Sequence, residues 1–377
     1  MQPPSPPPSC RRRTGFFTSA VAMLLLTLQI GGCRNETPAI TSRFSAFGDQ
    51  VDLTLVRVDP DQADQAAAAI KRDFGLMQQD WHAWDPGPMG RVNLLLPKGE
   101  PFVAPPSVLP LVRLSQTYWE QSGGLFNPAI GNLLDLWGFH ADAPECHPPP
   151  SERSVEALVK ANPQMSDVRI EGLELQSSNP AVKLDFGDLV KGYAIDLAIE
   201  LLREHGVRDA MVQIGNHMRV IGERSGQPWR VPVRRPSGSG VLAVLMVRGD
   251  ESIASASGAD RNCIYGGVTY HNILDPRTGW PARDTSAVTV VHHDAATAAA
   301  AATALFVAGP QQWYRVARAM GVRFVLLVDS RGTLHMNPEM RDRIKLINGE
   351  TDLVISPPLD STAGEAALAP AGGVGGR

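Results

Sequence analysis

Metal-type cysteine patterns, a basic surplus and a membrane-length apolar run are all missing from this chain of 377 residues. Its four cysteines, Cys10, Cys33, Cys146 and Cys263, stand too far apart in sequence for the paired spacing of a structural zinc site. A formal net charge of -4 argues against a nucleic-acid partner, which would favour a basic face. The apolar run from Phe16 to Ile30 is short and is broken at once by Gly31-Gly32, so it makes a poor transmembrane helix. A Gly-x4-Gly-Lys-Ser/Thr phosphate loop is also absent. With 43% hydrophobic residues, the chain can still build the core of one large domain or two intertwined ones.

The N-terminus carries an export pattern. Arg11-Arg12-Arg13 forms a basic head, the greasy run follows, and Ile30-Gly31-Gly32-Cys33 closes it. Small residues just before a cysteine predict a lipoprotein signal over residues 1–32, with lipid carried on Cys33. The Phe-Leu of a twin-arginine signal does not follow the arginines. The expectation is a lipid-anchored protein facing the periplasm, with residues 33–42 as a tether. Residues 43–356 would form the folded domain, and the Ala/Gly/Pro/Ser-rich stretch 357–377 a disordered tail. Cys10 then leaves with the signal, and an oxidising compartment would permit a disulfide between Cys146 and Cys263.

Periodicity predicts a strand over Val51–Val58 and a helix from Asp59-Pro60-Asp61 to about Gln79. A second helix spans 107–121, and Ser151 caps a short one. Val182 to Asp185 reads as a strand feeding a helix from Leu189 to Glu204. Arg230–Val233 and Val241–Val247 read as paired strands, with Pro232 placing the first at an edge. Ala287–His292 and Phe324–Val328 are further strands. Between them Thr297–Val307 is an alanine-rich helix, and Pro310 opens the next. Strands and helices mix without a regular βαβ period, which predicts an α+β fold.

Three segments carry chemistry. Tyr270 to Pro281 holds Asp275, Arg277 and Thr278 in a loop stiffened by Pro276, Gly279 and Pro281. Gly187-Asp188-Leu189-Val190-Lys191-Gly192-Tyr193 sits where a strand meets a helix N-terminus, a place suited to phosphate, although it also reads as a plain turn with a solvated lysine. Gly123 to Phe139 is glycine-punctuated and aromatic, as a core loop or a wall for a flat ring would be.

Four blocks in order resemble the ApbE-type FAD:protein FMN transferases. They are Phe126-Asn127-Pro128 through Trp137-Gly138-Phe139, Asp185 through Asp196, Ser255-Ala256-Ser257-Gly258 with His271 to Pro281, and Ala302-Thr303-Ala304-Leu305-Phe306-Val307. The likeness runs from about Phe44 to Val328. It implies an ApbE-like α+β fold with mixed sheets, packed helices and an FAD site in a crevice between two subdomains. It implies transfer of FMN from FAD to a Thr or Ser hydroxyl of an exported target, with release of AMP and a divalent metal, usually Mg2+. By motif, Phe47, Trp84, Leu125, Phe126, Asn127, Asp185, Lys191, Ile273 and Leu274 would contact FAD. Asp188 and Thr303 would hold the metal, and Asp275 would organise or deprotonate the incoming hydroxyl.

The chain also departs from the family pattern. The aspartate four residues ahead of Thr303 is Ala299, and the histidine before Ile-Leu-Asp-Pro is Asn272, with His271 beside it. Phe-Asp-Pro is Phe126-Asn127-Pro128, and the second glycine after the central strand is Asn216. A hard cation prefers anionic oxygen, so the change at Ala299 predicts weaker metal affinity and reduced transfer. The alternatives are an FAD-binding lipoprotein of the same fold with little or no activity, or an FAD pyrophosphatase.

Overall fold

The computed structural model describes residues 39–140, 146–236, 240–347 and 352–359. The expected signal peptide, Cys33 and residues 33–38 of the tether lie outside the described residues, as does the tail from 360 onward.

Among the described residues, nine strands form one sheet whose spatial order follows the chain: Ala39–Ala46, Asp49–Val56, Asp209–Ile214, His217–Ile221, Glu251–Ser257, Thr285–His292, Phe324–Asp329, Leu334–Met336 and Leu353–Ile355. Neighbours pair antiparallel, except the last two strands, which run parallel. Side chains alternate between the two faces of a strand. Ala254, Ala256, Val288 and Val290 therefore face the main core with the helices Leu189–Glu204 and Ala295–Ala319. Ile253, Val291, Leu326 and Val328 face a second core, beneath the small sheet Trp229–Arg234, Val241–Val247 and Ile344–Leu346. The strand carrying Pro232 is at the edge of that small sheet.

Two local features fix the helices that matter for the site. Alanine has the highest helix propensity and the smallest side chain a helix tolerates, so Ala295–Ala302 can bury their whole run against sheet and helix. Where the two helices cross, a Cβ on Gly192 would stand 2.4 Å from the Ala295 carbonyl oxygen, so only glycine permits this approach. The N-terminus of the alanine helix lacks a cap from Asp294. Asp196 of the neighbouring helix serves instead, accepting the N–H groups of Ala295 and Ala296 at 2.9 Å each while Arg219 Nη1 donates to it at 2.6 Å. The break expected before Pro310 is present as a non-helical Gly309 with φ 69°.

Several expectations shift. Residues 39–42 belong to the first strand, so the tether ends earlier than residue 42. Residues 357–359 are tied down: Tyr314 Oη donates to the Pro358 carbonyl, and Leu359 is buried in the main core. Val182–Asp185 makes only an isolated bridge, Lys183 to Ile130, because the segment beside it, Pro128 to Gly131, bonds to Lys183 and Asp185 but turns at once into the helix Gly131–Leu136. The described residues cluster as one unit, and the crevice opens between the main core and a satellite lobe of Ile130, Leu133, Trp137, Phe139, Val155 and Leu274. Cys146 and Cys263 form a disulfide, Cα–Cα 5.2 Å, which ties the loop after that lobe to the hairpin Asn262–Tyr265/Val268–His271.

Candidate functional site

The crevice has three arms that meet at Asp188, Arg261 and Asn272. The junction is built on the turn that starts the Leu189–Glu204 helix. Asp185 Oδ1 accepts the Gly187 N–H at 2.8 Å, and Gly187 takes φ 52°, a left-handed conformation open to glycine. The chain then enters the helix with Asp188 and Lys191 on the crevice side. Lys191 Nζ lies 2.9 Å from Asp188 Oδ1 and 2.7 Å from Asp49 Oδ2. His217 Nε2 stands 3.4 Å from Asp188 Oδ2. Burial alone would lower the Lys191 pKa, but Asp188 and Asp49 outweigh it and hold the ammonium above its ordinary value. Burial would likewise raise Asp188, but Lys191 and His217 together hold its carboxyl well below the carboxylate range. Asp185 goes the other way. Burial raises its pKa despite the Gly187 N–H, Arg261 and a hydrogen bond from the Trp84 side chain.

The first arm is aromatic. Phe47 and Gly48 form the two-residue turn between the first two strands, with φ 55° and 72°. A phenylalanine at positive φ is strained, and such strain clusters at functional sites. It stacks on Trp81 at 6.3 Å and 19°, and its N–H donates to Gln78 Oε1 at 2.6 Å. Trp84, with Lys183 Nζ 3.9 Å from its ring centroid, and His140 complete this wall. The second arm is lined by Leu125, Phe126, Asn127, Ile273, Leu274 and Thr303. Asn127 is partly committed to the loop, donating to the Pro163 carbonyl at 2.9 Å and accepting the Ala129 N–H at 3.1 Å. The third arm is polar, with Asp49, Asn216, His217, Ser255, Ser257 and Asp260.

Every sequence-predicted contact residue, Phe47, Trp84, Leu125, Phe126, Asn127, Asp185, Lys191, Ile273 and Leu274, lines this crevice, as do Asp188 and Thr303. Asp275 does not. Its neighbours Leu274 and Pro276 line the second arm, whereas its own carboxylate is gripped by Arg277. Arg277 Nε donates to Oδ1 at 2.9 Å and Nη2 to Oδ2 at 2.7 Å, and the Arg277 N–H adds a third bond at 2.9 Å. The Asp275 carbonyl accepts the N–H groups of Thr278 and Gly279. Asp275 is therefore held as a brace of its loop, and a role at the incoming hydroxyl stays what the family resemblance implies. His271 does not stand in for Asn272 either. It is buried, with Nε2 2.9 Å from the Ala282 carbonyl and Nδ1 accepting the Ile273 N–H at 3.3 Å.

The expected metal pair fits a cation poorly. Thr303 Oγ1 donates to the Ala299 carbonyl at 3.3 Å, and Ala299 is buried among alanines with no donor atom to offer. The Asp188 carbonyl accepts the N–H groups of Lys191 and Gly192, and its carboxylate is shared by Lys191 and His217. Among the described residues no group of three His, Cys, Asp or Glu is placed to hold a metal ion. The crevice residues missed from sequence are Asp49, His217, Asp260 and Arg261. Asp260-Arg261 directly follow the Ser255–Gly258 block, which was the available signal. Asp49 and His217 arrive through hairpin turns and had none.

Comparison with known proteins gives one answer. A profile of the ApbE family matches residues 47–326. The chain is 36% identical over 343 residues to an FAD:protein FMN transferase of Rhodobacter capsulatus, covering 89% of this chain and 65% of that relative, just under two thirds of its length. It is 31% identical over 234 residues to an FAD:protein FMN transferase of Vibrio cholerae, covering 61% of this chain and 69% of the relative. The crystal structure of the ApbE protein of Thermotoga maritima superposes with TM-score 0.73 at 26% identity, covering 81% of this chain and 99% of the other.

Proposed function

The chain belongs to the ApbE family, and we propose that it is an FAD:protein FMN transferase that binds FAD in this crevice and moves FMN onto a Thr or Ser hydroxyl of an exported protein. The observation that carries the reading is the junction: a helix N-terminus bearing Lys191, flanked by two arms with aromatic or apolar walls. FAD has a flat ring system at each end and a dianionic pyrophosphate between. The rings suit the aromatic and apolar arms, and the pyrophosphate suits the helix N-terminus with Lys191 and Arg261. In the transfer the acceptor oxygen bonds to the FMN phosphorus, the bond to the AMP phosphate breaks, and AMP leaves with its electron pair. The hydroxyl proton passes to a crevice carboxylate. Asp185 and Asp260, both raised by burial, are better proton acceptors than a carboxylate in water.

In the family's chemistry Mg2+ neutralises the pyrophosphate. The poor fit of Asp188 and Thr303 to a cation supports a weakly active transferase, so the second reading, an FAD-binding protein that transfers slowly, rests on that specific observation. The experiment is direct. The protein is incubated with FAD, with and without Mg2+, and an exported acceptor domain purified without flavin. Flavin fluorescence on the acceptor in a denaturing gel supports transfer. FMN and AMP without labelling mark a pyrophosphatase, and bound unchanged FAD marks the inactive binder. Export and lipidation at Cys33 belong to the same proposal and rest on the Ile30-Gly31-Gly32-Cys33 pattern. A Cys33→Ser chain that still fractionates with membranes would refute the anchor.

A further inference from the structure

The crevice has one arm more than FAD has ends. The third arm, polar at Asn216, His217, Ser255, Ser257 and Asp260, offers a flat ring system little beyond Phe47 at the junction. Asn216, Ser255, Ser257 and Asp260 also line a cavity of about 280 Å³ on the other face of the nine-stranded sheet, roofed by the small sheet. The alternation of strand Glu251–Ser257 makes this connection. Ala254 and Ala256 face the helices, so Ile253, Ser255 and Ser257 face the small sheet. The wall shared by the two, the throat, carries internal pairs: Asn216 Nδ2 donates to Asp260 Oδ2 at 2.7 Å, and the Ser255 and Thr289 hydroxyls bond at 2.9 Å. Beyond it the cavity is mixed: Val231, Val233, Leu242, Leu326 and Val328 form an apolar side, and Gln213, Arg234 and Arg235 a polar one.

We propose that this third arm and the cavity behind it form the acceptor site, taking an extended polypeptide segment whose Thr or Ser hydroxyl reaches the junction. The proposal rests on the transferase reading above. A polypeptide needs hydrogen-bonding groups along its path and a holdfast for a side chain. The throat supplies the first, and the valine and leucine side of the cavity the second. In an extended segment, side chains two residues apart point the same way about 7 Å apart. The hydroxyl residue can therefore sit in the throat while an aliphatic neighbour enters the cavity.

Two measurements test this on the full chain. In the first, Ser257→Cys and His140→Cys variants are treated with N-ethylmaleimide, and the modified peptide is followed by mass spectrometry. With FAD bound, the thiol introduced by Ser257→Cys should react within threefold of its FAD-free rate. The one introduced by His140→Cys should slow at least tenfold. Equal protection of both means FAD occupies the third arm and overturns the proposal. In the second, Ser257→Leu narrows the throat. FAD affinity, from quenching of flavin fluorescence, should stay within twofold of wild type, while FMN transfer to a flavin-free acceptor domain falls at least tenfold. Unchanged transfer overturns the proposal. A wild-type chain that binds FAD and labels no acceptor, or binds no FAD at all, defeats the transferase reading and this proposal with it; labelling by wild type with unchanged transfer by Ser257→Leu defeats the acceptor site alone.

Discussion

Replacing Lys191 by methionine removes the cation that, among the described residues, bridges Asp49 and Asp188. Methionine keeps the length and apolar stem of the side chain, so the change is chiefly one of charge. A hydrogen bond to a charged group contributes about 1.5–3 kcal/mol, which is about ten- to a hundredfold in a dissociation constant. The variant should lose that much FAD affinity, because the pyrophosphate would meet two carboxylates with no ammonium between them. Stability should fall less. Asp49 and Asp188 keep 39% and 35% of their side-chain surface exposed, so water screens them, and the loss should be about 1–2 kcal/mol, well short of a fully buried unpaired charge. The pH signature follows from Asp188. Its folded pKa lies below the unfolded value of about 3.9, so it contributes stability above that pH and loses it as the pH falls through the folded value. Without Lys191 the shift shrinks, and the acid limb of the stability curve should become shallower. Flavin-fluorescence titration and urea melts between neutral and acid pH measure both effects. A Lys191→Met chain that binds FAD within twofold of wild type would refute the placement of the pyrophosphate.

Asp196→Ala uncaps the N–H groups of Ala295 and Ala296 while Arg219 keeps its pair with Asp250, and urea melts should show a loss of about 1–2 kcal/mol. Asp275→Ala and Arg277→Ala should each weaken FAD binding by a similar factor, and the double variant should add little, because the two residues act as one brace. Additive losses would restore an independent role for Asp275. His271 and His292 are both lowered by burial, so protonation favours the unfolded chain; stability should decline as pH drops below about 6.5 and flatten once the folded values are passed. His271→Gln should reduce that decline in melts from pH 8 to 5.

Elements were legible where a local rule decided them. The helix Leu189–Glu204 has the limits its periodicity gave, and the Gly309-Pro310 break is where proline must start a new segment. Val182–Asp185 failed as a strand because alternation over four residues does not show how long its partner runs, and Pro128 to Gly131 enters a helix too soon. Between Asp209 and Ile221 the chain doubles back: Gly215-Asn216 is a hairpin turn that returns His217 to Asp188. That return brought an unpredicted imidazole into the site. The loop from Tyr270 to Pro281 showed its polar groups in sequence but not their partners. Asp275 and Arg277 are two residues apart, and in a tight turn that places them close enough to satisfy each other. Ligand-facing and loop-bracing polar residues look alike until the backbone is folded.

The missing aspartate at Ala299 has to be weighed with the charges that remain. Four carboxylates, Asp49, Asp185, Asp188 and Asp260, line the crevice against two fixed cations, Lys191 and Arg261. A divalent cation and the aspartate that holds it would together add one positive charge. Losing both leaves the junction only one unit more negative, whereas losing the cation alone would leave it two units more negative. On the proposed placement, the substitution at Ala299 would be the less damaging way to lose a metal, and pyrophosphate would rest on Lys191, Arg261 and the helix N-terminus. FAD affinity should then change less than twofold when EDTA replaces Mg2+. Ala299→Asp should split the two conditions. The added carboxylate, one helical turn from Thr303, should weaken FAD binding in EDTA and strengthen it in Mg2+. A wild-type chain that needs Mg2+ for FAD, or an Ala299→Asp chain that responds alike in both buffers, would show that the cation is held by groups other than these.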